Sequence, residues 1–248
     1  MPIPPLQRYV ILSTPRSGSS HLVAALEAHA QVACLGEVFN PHGGALKRLG
    51  YYDEQMMTLL AEQPIVYLDK LMGLCAHGPA AKPVFGFKMM LHHDERVIDH
   101  VSADPAWKVI LLRRNNLLAQ WSSLQIAKIT GEWSSKGKKR RAAAGQPEPE
   151  APRIEFKPKA FAAYCEKVSS RYATIREQVA GHELFEIDTE HIDAQRDALL
   201  AFLGVNPALA APAPGAGERQ NSSSLEERFT NAEAVRRYAR EHGMPLAG

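Results

Sequence analysis

Continuous apolar runs alternate along this chain with segments of helical periodicity. The apolar runs have the length and composition of buried strands and lie near residues 9–12, 32–35, 84–89, 108–113 and 183–187. Apolar residues at helical spacing predict helices up to about residue 30 and near 53–62, 66–76, 93–103, 117–129, 160–180 and 194–203. Strands separated by helices predict an α/β fold with a mostly parallel central sheet flanked by helices. In such a sheet ligands bind beyond the carboxyl ends of the strands.

Two segments depart from this alternation. Residues 134–152 are rich in Lys, Arg, Ala, Pro and Glu and show no periodicity, and residues 205–218 are rich in Ala, Pro and Gly. The basic run at 136–141 fits a lid or patch for an anionic substrate, although such runs are more often solvated, mobile loops. We predict a single domain across residues 1–248, with a mobile insert at 134–152 and a connecting loop at 205–218.

The composition narrows the class of protein. Apolar residues make up 45% of the chain and the net charge is only +2, which gives no support to a general nucleic-acid-coating role. No apolar run approaches the roughly 20 residues of a membrane span, and the first residues lack the pattern of a signal peptide. The cysteines are odd in number, widely separated and without metal-ligand spacing; they are Cys34, Cys75 and Cys165. We therefore expect a cytoplasmic protein without a metal site.

The turn after the first predicted strand has the composition of an anion-binding loop. Residues 15–20 read PRSGSS and lie between a buried strand and the start of a helix, where backbone N–H groups converge on an anion. Arg16 adds a permanent planar cation, and Gly18 allows a backbone conformation that a β-carbon would obstruct. Further hydroxyl donors come from Ser17, Ser19 and Ser20. The triphosphatase motif G-x-x-x-x-G-K-[ST] does not fit this stretch, and the plain alternative is a strand–turn–helix with a capping serine.

A second anion site is suggested by Arg114 and Ser122. Arg114 follows the strand at 108–113, and Ser122 lies two turns into the next predicted helix. For a helix that begins near Asn115, residues seven apart share a face, so Ser122 is expected to point back toward the strand end. The alternative is a surface arginine and an unrelated helical serine.

The order of these motifs resembles that of PAPS-dependent sulfotransferases (PAPS is 3′-phosphoadenylyl sulfate). PRSGSS after the first strand, an R-x7-S pair after a mid-chain strand and RQ-x3-S-L in a late loop follow the family's order. The chain resembles most the bacterial carbohydrate sulfotransferases of the nodulation-factor type and, less closely, the trehalose sulfotransferases. Further shared stretches are residues 36–40, 86–88, 108–115, 130–133, 185–188 and 202–205. The resemblance implies a P-loop-type three-layer fold.

The resemblance also implies roles for individual residues. The loop that holds the 5′-phosphosulfate of the donor matches Arg16, Ser17, Gly18, Ser19 and Ser20. The pair on the 3′-phosphate matches Arg114 and Ser122, and the loop over the adenosine matches Arg219 and Gln220. Glu37 matches the proposed general base, and Lys88 lies at a strand end from which it could approach the bridging oxygen. The pair Asn115–Asn116 and the insert at 134–152 depart from the family pattern, which affects substrate contacts rather than donor binding.

The expected reaction is transfer of the sulfuryl group from PAPS to a hydroxyl of a carbohydrate or glycolipid-like acceptor, leaving 3′,5′-ADP. Glu37 would remove the acceptor's proton while Arg16 and the turn amides stabilise charge on the leaving phosphate. His92 and His93 are alternative bases, but helix capping or core contacts explain them as well. Two other classes stay open: a P-loop-type kinase or nucleotide hydrolase, and a catalytically silent nucleotide-binding protein. The acceptor's identity and the oligomeric state are not specified by the residues.

Overall fold

Five parallel strands form one sheet in the order β2-β3-β1-β4-β5. The computed structural model describes residues 6–42, 47, 50, 53–77, 81–133, 151–212 and 224–246. The strands are β1 (Gln7–Ser13), β2 (Val32–Leu35), β3 (Val84–Met90), β4 (Trp107–Arg113) and β5 (Leu184–Asp188). Because β1 is central, its carboxyl end lies beside those of β3 and β4, with Ser13 paired to Met90 and to Leu112.

Seven helices of the described residues follow the predicted segments closely. They are α1 (Ser19–Glu27), α2 (Glu54–Glu62), α3 (Pro64–His77), α4 (Glu95–Ala103), α5 (Leu117–Thr130), α6 (Pro158–Gln178) and α7 (Arg196–Phe202). A further helix, α8 (Ala232–Glu241), lies where no helix was predicted from the sequence. Short 3₁₀ turns occur at Thr189–His191, Pro207–Leu209 and Glu226–Arg228. Within these described ranges, no helix has both the length and the apolar character that crossing a bilayer requires.

The described residues divide into two compact units. The sheet unit takes its residues from 1–113 and 171–216, and the helical unit takes its residues from 114–170 and 217–248. The single domain expected from the sequence stays a prediction. Most of the expected insert, residues 134–150, lies outside the described residues.

The sheet unit buries different side chains on the two faces of its strands, because successive residues of a strand point in opposite directions. On one face, Leu22 and Leu26 of α1 and Leu200 of α7 share a core with Ile110 and Leu112 of β4, among others. The other face carries aromatic rings, which include Phe39, Tyr67, Phe85, Phe87 and Trp107. The predicted α/β class with a parallel sheet flanked by helices is confirmed.

A glycine in β3 allows the central strands to pack closely. A β-carbon at Gly86 would lie 2.2 Å from the ring of Tyr9, its partner on β1. The Tyr9 ring occupies that space, and its hydroxyl donates to the carbonyl oxygen of Ala33 on β2 at 3.3 Å. One tyrosine thus ties three strands together, and the small residue in the 86–88 motif has a packing reason.

The helical unit has its own aromatic core. Trp121 of α5 stacks on Phe229 with ring centroids 6.2 Å apart, and Phe156 and Phe161 meet Trp121 edge-on. Asn116 caps α5, since its side-chain oxygen accepts the Ala119 N–H at 2.9 Å. The buried apolar residues of this unit thus form a hydrophobic cluster of their own.

Candidate active site

The loop between β1 and α1 has an unusual backbone. Arg16 and Gly18 both have positive φ, at 65° and 72°, and Arg16 is the non-glycine residue with this conformation in the described part of the chain. Left-handed residues next to right-handed ones turn successive N–H groups toward a common concavity, which favours an anion. A side chain at positive φ carries strain, so this geometry is maintained by the surrounding contacts.

Ser17 has a buried hydroxyl that is able to donate to an anionic ligand. The residue is fully buried, and among the described residues its Oγ has no hydrogen-bond partner. A buried hydroxyl without a partner is costly, and an acceptor oxygen of a bound anion would satisfy it. Ser19 is also buried at the start of α1, whereas Ser20 is exposed. The phosphosulfate expected from the sequence carries oxygens that would accept a hydrogen bond from this hydroxyl.

Two residues from the carboxyl-terminal part of the sheet unit hold this loop. Tyr172 of α6 accepts the N–H of Thr14 at 3.2 Å and donates to the Leu112 carbonyl oxygen at 2.6 Å, so it joins the ends of β1 and β4. The Thr189 hydroxyl lies 2.5 Å from the Ser17 carbonyl oxygen and 3.0 Å from that of Arg113. The N–H of Thr14 therefore forms its hydrogen bond within the protein and is not available to a ligand.

Glu37 lies on the turn after β2 and forms an ion pair with Lys88 of β3. The Lys88 Nζ is 2.7 Å from Glu37 Oε1, and the Lys88 side chain is only 5% exposed. Asn40 donates to the other carboxylate oxygen, Oε2, at 3.2 Å. Burial raises the pKa of Glu37, but the Lys88 charge and the hydrogen bonds from Lys88 and Asn40 outweigh it, so the pKa is lowered. Glu37 is therefore ionised at neutral pH, as a proton acceptor must be.

Backbone contacts fix the turn that carries Glu37. The Gly36 carbonyl oxygen accepts the N–H groups of Val38 at 2.8 Å and of Lys88 at 3.2 Å. The Tyr67 hydroxyl donates to the Val38 carbonyl oxygen at 2.9 Å. Lys88 thus positions the turn through its main chain and the carboxylate through its ammonium group.

His93 interacts electrostatically with both Glu37 and Lys88. Burial, together with His92, lowers the pKa of His93 to about 4, so its imidazole is neutral at physiological pH. Its Nδ1 accepts the Met90 N–H at 3.4 Å, which fixes the proton on the other ring nitrogen. The cap of α4 is Asp94 rather than either histidine, since the Asp94 side chain accepts the Arg96 N–H at 3.0 Å.

In the helical unit, Ser122 is fully buried and has protein partners. Its hydroxyl donates to the Ala119 carbonyl oxygen at 3.1 Å and lies 3.2 Å from an Arg228 guanidinium nitrogen. Arg228 is itself only 6% exposed. Sequence reasoning missed Arg228, because nothing in its neighbourhood separates a buried arginine from the exposed ones. Arg114 begins this unit, and Arg219 and Gln220 lie outside the described residues.

The structure thus shows how two groups of predicted residues are arranged. The loop of residues 16–20 starts α1, and Glu37 pairs with Lys88, both in the sheet unit. In the part of the chain that the structure describes, no three His, Cys, Asp or Glu side chains cluster as metal ligands would.

Comparisons with known proteins were made on sequence and on structure. No protein-family model matches the chain. Nodulation protein H of Rhizobium tropici is 26% identical over 248 residues, which cover 95% of this chain and 90% of that protein. The crystal structure of sulfotransferase STF9 from Mycobacterium avium aligns with 100% of this chain and 79% of its own, at 12% identity and a TM-score of 0.45. The near full-length match to Nodulation protein H confirms the resemblance that the motifs indicated.

Proposed function

We propose that this chain, which resembles the nodulation-type sulfotransferases, transfers the sulfuryl group from PAPS to a hydroxyl of a carbohydrate or glycolipid-like acceptor. The observation that carries the proposal is the buried Ser17 hydroxyl, which finds no partner among the described residues and lies in a left-handed loop at the start of α1. The 5′-phosphosulfate would supply acceptor oxygens to this hydroxyl, to the loop amides and to the Arg16 guanidinium.

In the proposed reaction, Glu37 receives the proton of the acceptor hydroxyl while that oxygen forms its bond to sulfur. The bond between sulfur and the bridging phosphate oxygen breaks, and 3′,5′-ADP leaves with the electron pair. Arg16 and the amides of residues 17–19 stabilise the charge on the leaving phosphate; one well-placed donor contributes on the order of 3 kcal/mol. Lys88 keeps Glu37 ionised and lies two residues before the end of β3, from which its ammonium group would also approach the bridging oxygen.

The other end of the donor is assigned by resemblance. Arg114 and Ser122 are proposed to bind the 3′-phosphate, and Arg219 and Gln220 to close over the adenosine. The Arg228 guanidinium beside the Ser122 hydroxyl supplies further positive charge to that residue's surroundings. A cytoplasmic location belongs to the same proposal and is supported by the cysteines, which form no disulfide in the described part of the chain.

Calorimetry and a transfer assay test the proposal. The protein is titrated with 3′,5′-ADP and, separately, with ATP and Mg²⁺, and labelled PAPS is then offered with a panel of sugars and glycolipids. We expect 3′,5′-ADP to bind more tightly than ATP and label to appear on a carbohydrate. Tighter binding of ATP would favour a kinase or hydrolase, and binding without transfer would favour a silent nucleotide-binding protein.

A further inference from the structure

The residue after β5, Thr189, touches the anion-binding loop through both branches of its side chain. Its hydroxyl lies 2.5 Å from the Ser17 carbonyl oxygen and 3.0 Å from the Arg113 carbonyl oxygen. Its methyl carbon lies 2.5 Å from the point where a β-carbon at Gly18 would be. Three chain segments, the loop after β1, the end of β4 and the turn after β5, meet at this one half-buried side chain.

These contacts act on the peptide unit that precedes Gly18. A carbonyl bonded on one side fixes the orientation of its peptide plane, because the plane is rigid. The Ser17 carbonyl belongs to the same plane as the Gly18 N–H, which therefore points away from Thr189. The hydroxyl of Thr189 thus sets the direction of an amide in the loop that is proposed to receive the phosphosulfate.

The methyl group has a separate effect. It fills the space over the α-carbon of Gly18, so residue 18 can neither take a side chain nor move toward the β5 turn. Gly18 is held at a φ of 72°, and the first turn of α1 begins directly on its carbonyl oxygen, which accepts the His21 N–H at 2.9 Å. The methyl group therefore fixes the position of the helix start, and the hydroxyl fixes the amide beside it.

We propose that Thr189 is a positioning residue of the donor site, which holds the Ser17–Gly18 peptide in the orientation that receives the phosphosulfate. The inference rests on the proposed function for the identity of the ligand, but the contacts that carry it involve the protein alone. Thr189 does not touch the reacting atoms in this scheme. Its contribution is to donor affinity rather than to proton transfer.

Three variants separate the roles of the side chain. Thr189→Val keeps its shape and loses the hydroxyl, and Thr189→Ser keeps the hydroxyl and loses the methyl group. Thr58→Val is the matched control, because the Thr58 hydroxyl also donates to a carbonyl oxygen, that of Glu54 at 2.9 Å, within α2. Each protein is compared with wild type for 3′,5′-ADP affinity, for the KM of donor and acceptor, and for amide hydrogen exchange in residues 14–22 without ligand.

We expect Thr189→Val to weaken 3′,5′-ADP binding about tenfold, equivalent to about 1.4 kcal/mol. The KM of the donor should rise while that of the acceptor stays unchanged, and exchange in residues 14–22 should accelerate. Thr189→Ser should restore affinity to within about threefold of wild type, about 0.65 kcal/mol, and Thr58→Val should leave all these quantities unchanged.

Two results distinguish failure of this inference from failure of the proposed function. Wild-type affinity and wild-type exchange in Thr189→Val would overturn the inference and leave the proposed function intact. If wild type binds no 3′,5′-ADP but exchange in residues 14–22 accelerates in Thr189→Val alone, the proposed function is overturned, while the positioning of the loop by Thr189 is supported.

Discussion

The ammonium nitrogen of Lys88 lies 2.7 Å from one carboxylate oxygen of Glu37, and the amide nitrogen of Asn40 lies 3.2 Å from the other. Both groups stabilise the ionised carboxylate, and both oppose the effect of its burial. The sequence suggested a base at Glu37 and a separate role for Lys88 near the donor. The structure makes them one unit, so the chemistry of either depends on the other.

Replacement of the base should separate binding from catalysis. Glu37→Gln keeps the shape of the side chain and removes its capacity to accept a proton, so kcat should fall by a factor of about 100 or more. The affinity for 3′,5′-ADP should stay within about threefold of wild type, which calorimetry measures. Glu183→Gln is the control, since Glu183 also pairs with a lysine, with 3.1 Å between Glu183 Oε2 and Lys108 Nζ. Undiminished turnover in Glu37→Gln would remove Glu37 from the mechanism.

The partners of Glu37 should set the acid limb of the pH profile. Lys88 and Asn40 lower the pKa of Glu37, so removal of either raises it, and the base becomes protonated at a higher pH. The acid limb of kcat should therefore move to higher pH in Asn40→Ala, and further in Lys88→Met. Asn206→Ala removes an amide that bonds to Ala208 and should leave the limb in place. If the acid limb does not move in either the Asn40 or the Lys88 variant, a group other than Glu37 titrates.

Stability should fall in mild acid because of His93. The pKa of His93 is about 4 in the folded protein against an ordinary value of 6.5, so between these pH values the unfolded chain binds a proton that the folded chain does not. This part of the stability is complete above pH 6.5 and is lost as the pH falls toward 4; for a partly exposed group it amounts to about 1 kcal/mol. Urea unfolding at a series of pH values should show a smaller loss for His93→Asn than for wild type. If the free energy of unfolding falls equally with pH in wild type and His93→Asn, groups other than His93 cause the loss of stability.

A methyl group at position 18 should be worse than at another left-handed glycine. Gly131 has a φ of 70° and open space around the missing β-carbon, so Gly131→Ala carries only the backbone strain, about 1 kcal/mol. Gly18→Ala adds the contact with Thr189 and should lower the free energy of unfolding further. The combination with Thr189→Ser should remove most of this additional loss. If Gly18→Ala and Gly131→Ala cost the same, the close contact at Thr189 does not constrain the loop.

The strain at Arg16 should be measurable as a difference in stability between two variants that both lack the cation. Arg16→Ala and Arg16→Gly both remove the cation and should weaken 3′,5′-ADP binding more than about tenfold. Glycine alone accepts the φ of 65° without strain, so the free energy of unfolding measured with urea should be about 1 kcal/mol larger for Arg16→Gly than for Arg16→Ala. Equal stability of the two variants would mean that the loop relaxes once the arginine is gone.

Local features of the site were predictable, and its long-range contacts were not. Apolar runs and a glycine between serines are visible in the sequence, so the strands and the loop of residues 15–20 were predicted where they occur. The contact of Thr189 with Ser17 joins residues 172 positions apart, and that of Tyr172 with Thr14 joins residues 158 apart. Periodicity carries no information about such pairs, since a threonine or tyrosine that makes such a contact has the same sequence pattern around it as one that does not.

Ser122 shows the same limit within one helix. Helical spacing predicted that Ser122 faces the strand end, because position along a helix determines its face, and the structure shows the side chain fully buried. What meets that face is set by the fold, and the partner of Ser122 is Arg228, 106 residues later. Burial of a side chain is therefore easier to predict from sequence than the residue against which it packs.

The central place of β1 also has a consequence for synthesis on the ribosome. β1 pairs with β3 and β4, so both of its edges are covered only once residues 84–113 have been made. At a typical rate of translation this interval lasts roughly 5 to 20 seconds, during which an apolar strand with open edges is available to other chains. β1 is therefore fully paired only after β4, the last of its two neighbours, has been made.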